Sequence, residues 1–190
     1  MKKIIILLIS ISLFTSCKKE EKLSDTEIAQ YVVKGKEIGK ATIQKLGSNL
    51  MKHMKNGGTK EAIPFCNTNA NSLTGEIAKK YDVSIKRTSH KMRNDKNNPT
   101  TNEQKVLNQY LAQIKKGEQL KPKVIKETDG KVHFYAPMKL QKKCLACHGE
   151  VGKQVTPVTN DLIKSLYPND KATGFKDGEF RGIVNITFNK

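Results

Sequence analysis

Residues 123–148 read KVIKETDGKVHFYAPMKLQKKCLACH. In the first half, Lys123-Val124-Ile125-Lys126 and Val132-His133-Phe134-Tyr135 flank Asp129-Gly130. Two β-prone runs around Asp-Gly are a tight-hairpin signal, because glycine adopts the positive φ the turn needs. The second half closes on Cys144-Leu145-Ala146-Cys147-His148, a CxxCH run. Two thiols at that spacing on one helical turn each add to a haem vinyl group, and the histidine that follows sits beneath the iron as proximal ligand. The expectation is one covalent haem c, attached at Cys144 and Cys147 and ligated by His148.

Two other readings compete for the same cysteines. A structural zinc site needs four ligands, usually two separated pairs. Here Cys66, Cys144, Cys147 and His148 would have to supply all of them. A thioredoxin-like redox pair needs a βαβ setting, which the surrounding pattern lacks. The histidine directly after the second cysteine favours haem.

Working outward, helices come first and strands later. Ile28, Val32, Ile43, Leu46, Leu50 and Met54 recur at helical intervals, with Gly35 and Gly39 in the same stripe as a close contact or a bend. That predicts a helix from Ser24 to Lys55, stopped by Asn56-Gly57-Gly58. Thr59 then caps a second helix with Pro64 near its start and Ile63, Cys66, Ala70, Leu73 and Ile77 on one face. Val83, Ile85 and Arg87 alternate with Ser84, Lys86 and Thr88 as a strand. Residues 90–99 are polar and irregular. Thr100-Thr101-Asn102-Glu103 is a capping box. It opens a helix through Val106, Leu107, Tyr110, Leu111 and Ile114 that ends near Gly117. After the hairpin and the CxxCH turn come a short helix over 162–166 and a closing strand over 180–188. Separate helices and an antiparallel sheet make the class α+β.

The N-terminus reads as an export signal. Lys2 and Lys3 precede the apolar run Ile4–Phe14, which is too short to span a bilayer. Leu13-Phe14-Thr15-Ser16-Cys17 resembles a bacterial lipobox. The expected layout is a leader over 1–16, a tether over 17–24 lipidated at Cys17, and one haem-binding domain over 25–190. An ordinary secretory signal is the plainer reading. Haem c is attached outside the cytoplasm, so the expected location is a lipid anchor in the membrane of a Gram-negative bacterium, facing the periplasm or the cell surface. Of four cysteines, Cys66 alone remains unassigned, so no disulfide framework is implied. The formal charge of +17 suits a lysine-rich solvated surface or attraction to acidic partners. Nucleic acid is no natural partner for an exported chain.

Several segments resemble the PAS-like family of c-type haem proteins: Ala62-Ile63-Pro64-Phe65-Cys66, Arg87-Thr88-Ser89 with Arg93-Asn94 and Asn98-Pro99, and Tyr135-Ala136-Pro137 ahead of CxxCH. Gly174-Phe175 and Arg181-Gly182 extend the resemblance over residues 25–190. It implies a PAS-like antiparallel sheet beside long N-terminal helices. It also implies that Cys66 matches a distal iron ligand opposite His148, giving Cys/His ligation. Family members are often membrane-spanning sensors, whereas this sequence shows neither a second span nor a transmitter domain.

The residues themselves leave the sixth ligand open. A Cys66 thiolate is a strong donor to ferric iron, yet a free cysteine on an apolar stripe often only fills space. Met138 would give a His/Met centre, and His133 or His90 a bis-His one; Met51, Met54, Met92 and His53 fit core or surface roles better. Arg87 and Arg93 match haem propionates by guanidinium–carboxylate geometry, or else carry surface charge. Ser89 and Asn94 suit loop-holding roles. The function expected is sensing of redox state or of CO, NO or O2, passed to a signalling protein through release of Cys66. The alternative is a tethered monohaem cytochrome that carries electrons to a redox partner. Peroxidase chemistry would need acid–base groups, for which His90, Arg87 and Arg93 are the candidates.

Overall fold

The computed structural model describes residues 22–189; the expected leader, Cys17 and most of the tether lie outside them. Helix α1 (Asp25–Gly57) starts at a capping box. The Ser24 hydroxyl accepts the Glu27 N–H at 3.3 Å, and the Glu27 carboxylate accepts the Ser24 N–H at 2.8 Å. Gly58, at φ 64°, separates α1 from α2 (Thr59–Lys80). The two helices fold back on each other, joined by Lys45–Glu76 at 3.0 Å and His53–Glu61 at 2.6 Å.

Two expectations for α2 need correction. Gly58, not Thr59, occupies the cap position, and the Thr59 hydroxyl instead meets that of Thr159 at 2.8 Å. Pro64 lies inside the helix rather than at its start, so its missing N–H costs α2 one backbone hydrogen bond, to the Lys60 carbonyl.

The strands β1 (Val83–Thr88), β2 (Lys123–Lys126), β3 (Val132–Lys139) and β4 (Phe180–Phe188) form one antiparallel sheet in the order β1-β4-β3-β2. The architecture is α+β, as the sequence pattern implies. The hairpin is wider than Asp-Gly suggests: Lys126 pairs with Val132. Residues 127–131 form the loop, with Gly130 at φ 77° and its N–H donating to the Glu127 carbonyl at 2.8 Å.

Alternation gives the sheet two unlike faces. Val83, Phe134, Val184, Ile186 and Phe188 face α1 and pack with Ile38. Gly35 is where α1 touches the sheet, since a Cβ there would fall 2.3 Å from the Phe134 ring. On the other face, Tyr135 and Ile183 meet Val106, Leu107 and Tyr110 of α3 (Thr101–Lys115). The Thr100–Glu103 capping box is present as expected.

A 3-10 turn (Lys142–Cys144) leads into the one-turn helix α4 (Leu145–His148). Helix α5 (Pro157–Leu166) is longer than the expected 162–166. Thr156 caps it and Pro157 is its first residue, a start signal already present in the sequence.

Candidate haem site

The CxxCH turn hangs between two small apolar clusters. Cys144 packs against Leu140, Ala172 and Phe175, and Cys147 against Ile63, Val155, Ile163 and Tyr167. The chain after His148 leaves no room for a side chain, because a Cβ on Gly149 would stand 2.7 Å from the Leu145 carbonyl.

His148 is oriented by the backbone. Its Nδ1 lies 2.7 Å from the Ala172 carbonyl oxygen. A carbonyl only accepts, so Nδ1 carries the hydrogen and Nε2 keeps its lone pair. This is the second-shell arrangement that fixes a metal-ligating imidazole. Burial, then the charges of Arg93 and Arg181, hold the imidazole well below its usual range. The ring is therefore neutral and ready to donate.

Arg93 is the clasp of this region. Its Nε donates to Asp170 Oδ1 at 3.0 Å, and its Nη2 to the Cys147 carbonyl at 2.6 Å and the Ala172 carbonyl at 3.3 Å. The carbonyl that orients His148 is thus held by Arg93 as well. Asp170 is fully buried at its side chain and also accepts the Ala172 N–H at 3.0 Å. The loop after β1 is knitted in alongside. Ser89 Oγ donates to the Arg181 carbonyl at 2.5 Å, and Lys91 Nζ to the Thr173 carbonyl at 2.5 Å. The Phe175 N–H reaches the His148 carbonyl at 2.9 Å. Ser89 and Asn94 hold the loop, Asn94 by accepting the Lys96 N–H.

Cys66, half-buried on α2, is brought to the same place. Burial pushes its thiol up, while the charges of Arg87 and Arg93 pull it down. Its charge is felt in turn at Cys147, Arg87 and Tyr167. Arg87 makes one long hydrogen bond, to the Ala70 carbonyl at 3.4 Å. Burial lowers its pKa, and burial together with Arg93 and Arg87 takes that of Arg181 down to about 10. Three guanidinium groups therefore surround the CxxCH turn with Asp170 as the carboxylate among them. Such a surplus of buried positive charge suits an anionic group, and two propionates would supply it. Arg93 is largely committed to the protein; Arg87 and Arg181 have donors to offer. Arg181 belongs in the set although the sequence reading gave it no role: it is buried, its charge is felt at His148, and it donates to the Lys91 carbonyl at 2.9 Å; its neighbour Gly182 lets β4 approach β1 closely. A Cβ there would be 2.2 Å from the Thr88 carbonyl.

The other candidate ligands are dispersed. Met138 packs with the α1-facing core. His133 lies on the opposite face, bonded to Asn185 and Thr187. His53 is paired with Glu61 and stacked on Phe65 at 3.8 Å. His90 stacks on Phe180 at 5.6 Å, with its Nδ1 buried and unpartnered. Met51 is exposed and Met54 and Met92 are half-buried. No group of three or more His, Cys, Asp or Glu side chains converges as a metal cage among the described residues, so the four-ligand zinc arrangement does not form. Axial ligation of haem needs no such cage, because its two ligands stand on opposite sides of a ring.

A family model described as Tll0287-like: Tll0287 matches residues 16–189. Among solved structures, the crystal structure of the cyanobacterial heme-protein Tll0287 is similar, with a TM-score of 0.61 and 26% identity. The match covers 88% of this chain and 98% of that one. Comparison with curated proteins gives no match.

Proposed function

This chain belongs to the Tll0287-like family, and on that premise we propose that it is an exported protein with one covalent haem c, ligated by His148 and Cys66, that senses redox state or a small gas. The observation that carries the reading is the hydrogen bond from His148 Nδ1 to the Ala172 carbonyl, which leaves Nε2 of the CxxCH histidine as a free lone pair. The similar structure is that of a heme-protein, in agreement with this. When bound, haem c supplies a one-electron couple and, at an open position, a site for CO, NO or O2.

The residues divide the work. Cys144 and Cys147 anchor the group, His148 holds it from one side, and Arg87 and Arg181 neutralise its carboxylates. As a thiolate, Cys66 favours the oxidised state; as a neutral thiol it is a poor ligand. Loss of Cys66 would free α2 near Pro64, where its hydrogen bonding is already interrupted. Export and lipidation at Cys17 complete the reading, with a separate protein to receive the signal. No helix among the described residues is long and apolar enough to cross a membrane.

The test is to express the full chain with haem-c maturation machinery. Mass spectrometry should find one haem on the Cys144–Cys147 peptide, and the ferrous protein should bind CO with a changed Soret band. A single haem whose ferrous spectrum ignores CO and NO would support the second reading, a tethered electron carrier. The Arg93 clasp favours that alternative, since a rigid proximal side suits a coordination that does not change. Protein free of covalent haem would remove both.

A further inference from the structure

Helix α1 has two unlike sides. Gly35 and Ile38 turn toward the sheet, and Thr42 is buried on the same side. On the opposite side Val33, Lys36, Lys40, Ile43, Gly47, Met51 and Lys55 follow one another in steps of three and four, a single line along a helix. Every side chain in that line is exposed. At 1.5 Å per residue the line is about 33 Å long.

Two kinds of residue share it. Val33 is 68% exposed, Ile43 46% and Met51 44%. They are three of the six large apolar side chains that stand exposed among the described residues, so their alignment is more than the ordinary scatter of a surface. Lys36, Lys40 and Lys55 lie among them, none in an ion pair among the described residues. After Glu27, α1 carries six lysines and one carboxylate, Glu37. That carboxylate is engaged with the Tyr81 hydroxyl, off the line.

We propose that this face of α1 lies along a bilayer surface bearing anionic phospholipid, with Val33, Ile43 and Met51 entering the headgroup layer and Lys36, Lys40 and Lys55 meeting the phosphates. Apolar side chains spaced along a helix and flanked by lysines fit a plane that is charged at its surface and apolar beneath. A single convex helix face has no pocket for a partner protein's anchoring side chain. A second copy of the chain would bring like charge against like. The N-terminal side agrees, and this one point rests on the reading above: Cys17, its lipidation site, lies eight positions before Asp25. That is a reach of at most about 28 Å, so a lipid there keeps the start of α1 at the bilayer. Because α1 and α3 lie on opposite faces of the sheet, α3 then points away from the membrane.

The experiment is co-sedimentation of the haem-loaded full chain with vesicles of phosphatidylcholine alone, and of phosphatidylcholine with about a quarter phosphatidylglycerol. A lipid on Cys17 contributes alike to both, so their ratio reads the face of α1. The anionic vesicles should bind at least about tenfold more tightly, and the ratio should shrink at high salt. Lys36→Gln, Lys40→Gln and Lys55→Gln together should abolish the preference, at about fivefold for each lysine. Lys105→Gln, Lys115→Gln and Lys116→Gln on α3 remove the same charge and should leave it nearly intact. Val33→Ser, Ile43→Ser and Met51→Ser, all at exposed positions, should weaken binding to the anionic vesicles severalfold with the haem spectrum and the melting temperature unchanged. A chain that carries no lipid would end the anchor reading and still show the preference. Equal binding to both vesicles would overturn the proposal, as would an α3 variant that loses the preference as fully as the α1 variant. A dimer in sedimentation velocity that the α1 substitutions dissolve would overturn it too, by putting a second copy on this face.

Discussion

Arg93 and Arg87 show how two like residues in one motif take unlike parts. Arg93 ties Asp170, Cys147 and Ala172 together, and the Asp170 side chain is fully buried. Arg93→Met therefore leaves a carboxylate uncompensated. Breaking a buried pair in this way costs about 3–5 kcal/mol, which denaturant unfolding of the haem-loaded protein will read as a lower midpoint. Arg87 makes a single long hydrogen bond, so Arg87→Met should change stability far less. With haem bound as proposed, removing the cation that acts on Cys66 should instead lower the reduction potential, measurable by spectroelectrochemistry. A large loss of stability with no change in potential would reverse the two assignments. Neither role was legible in the sequence, where both read as possible propionate partners. The Arg93–Asp170 contact joins segments that are remote in the chain, and only packing brings them together.

At the scale of elements, what could be read was what is local. The Thr100 capping box and the stop at the Gly57-Gly58 pair depend on neighbours a few positions away. The CxxCH helical turn and the alternation of β1 are equally local. The Thr156-Pro157 start of α5 is equally local. The length of the hairpin loop is not legible in the same way, because Asp129-Gly130 fits a two-residue turn as well as the five-residue loop that forms. Gly35 was read as a contact or a bend, and the sheet decides between these: α1 packs there on Phe134. Gly35→Ala should destabilise the fold by about 1–3 kcal/mol through overpacking, and Phe134→Leu in the same chain should recover part of it. A neutral Gly35→Ala would mean that α1 does not seat on the sheet as described.

For the whole molecule, two regions divide the polar chemistry. One is the candidate haem site between α2, the CxxCH turn and the loop after β1; the other is a network that ties α3 to the sheet. Glu103 is its centre. Burial alone would raise its carboxyl, but hydrogen bonds from Asn185, Lys86 and the Thr100 N–H outweigh burial and hold it below the usual range. A group depressed in the folded state contributes stability above its unfolded pKa and loses it as pH falls through the folded value. Unfolding free energy should therefore fall in acid, and Glu103→Gln should flatten that slope while lowering stability at neutral pH. An unchanged acid slope would place the dependence elsewhere. The central claim concerns the candidate haem site, where the charge of Cys66 is felt at Cys147. Low-temperature EPR of the ferric protein, wild type beside Cys66→Ala, tests it most directly. The account predicts a low-spin signal of narrow, thiolate-type anisotropy that disappears in the variant. A His/Met or bis-His signal that survives the substitution would contradict it, and would leave Cys66 as a packing residue in an electron carrier.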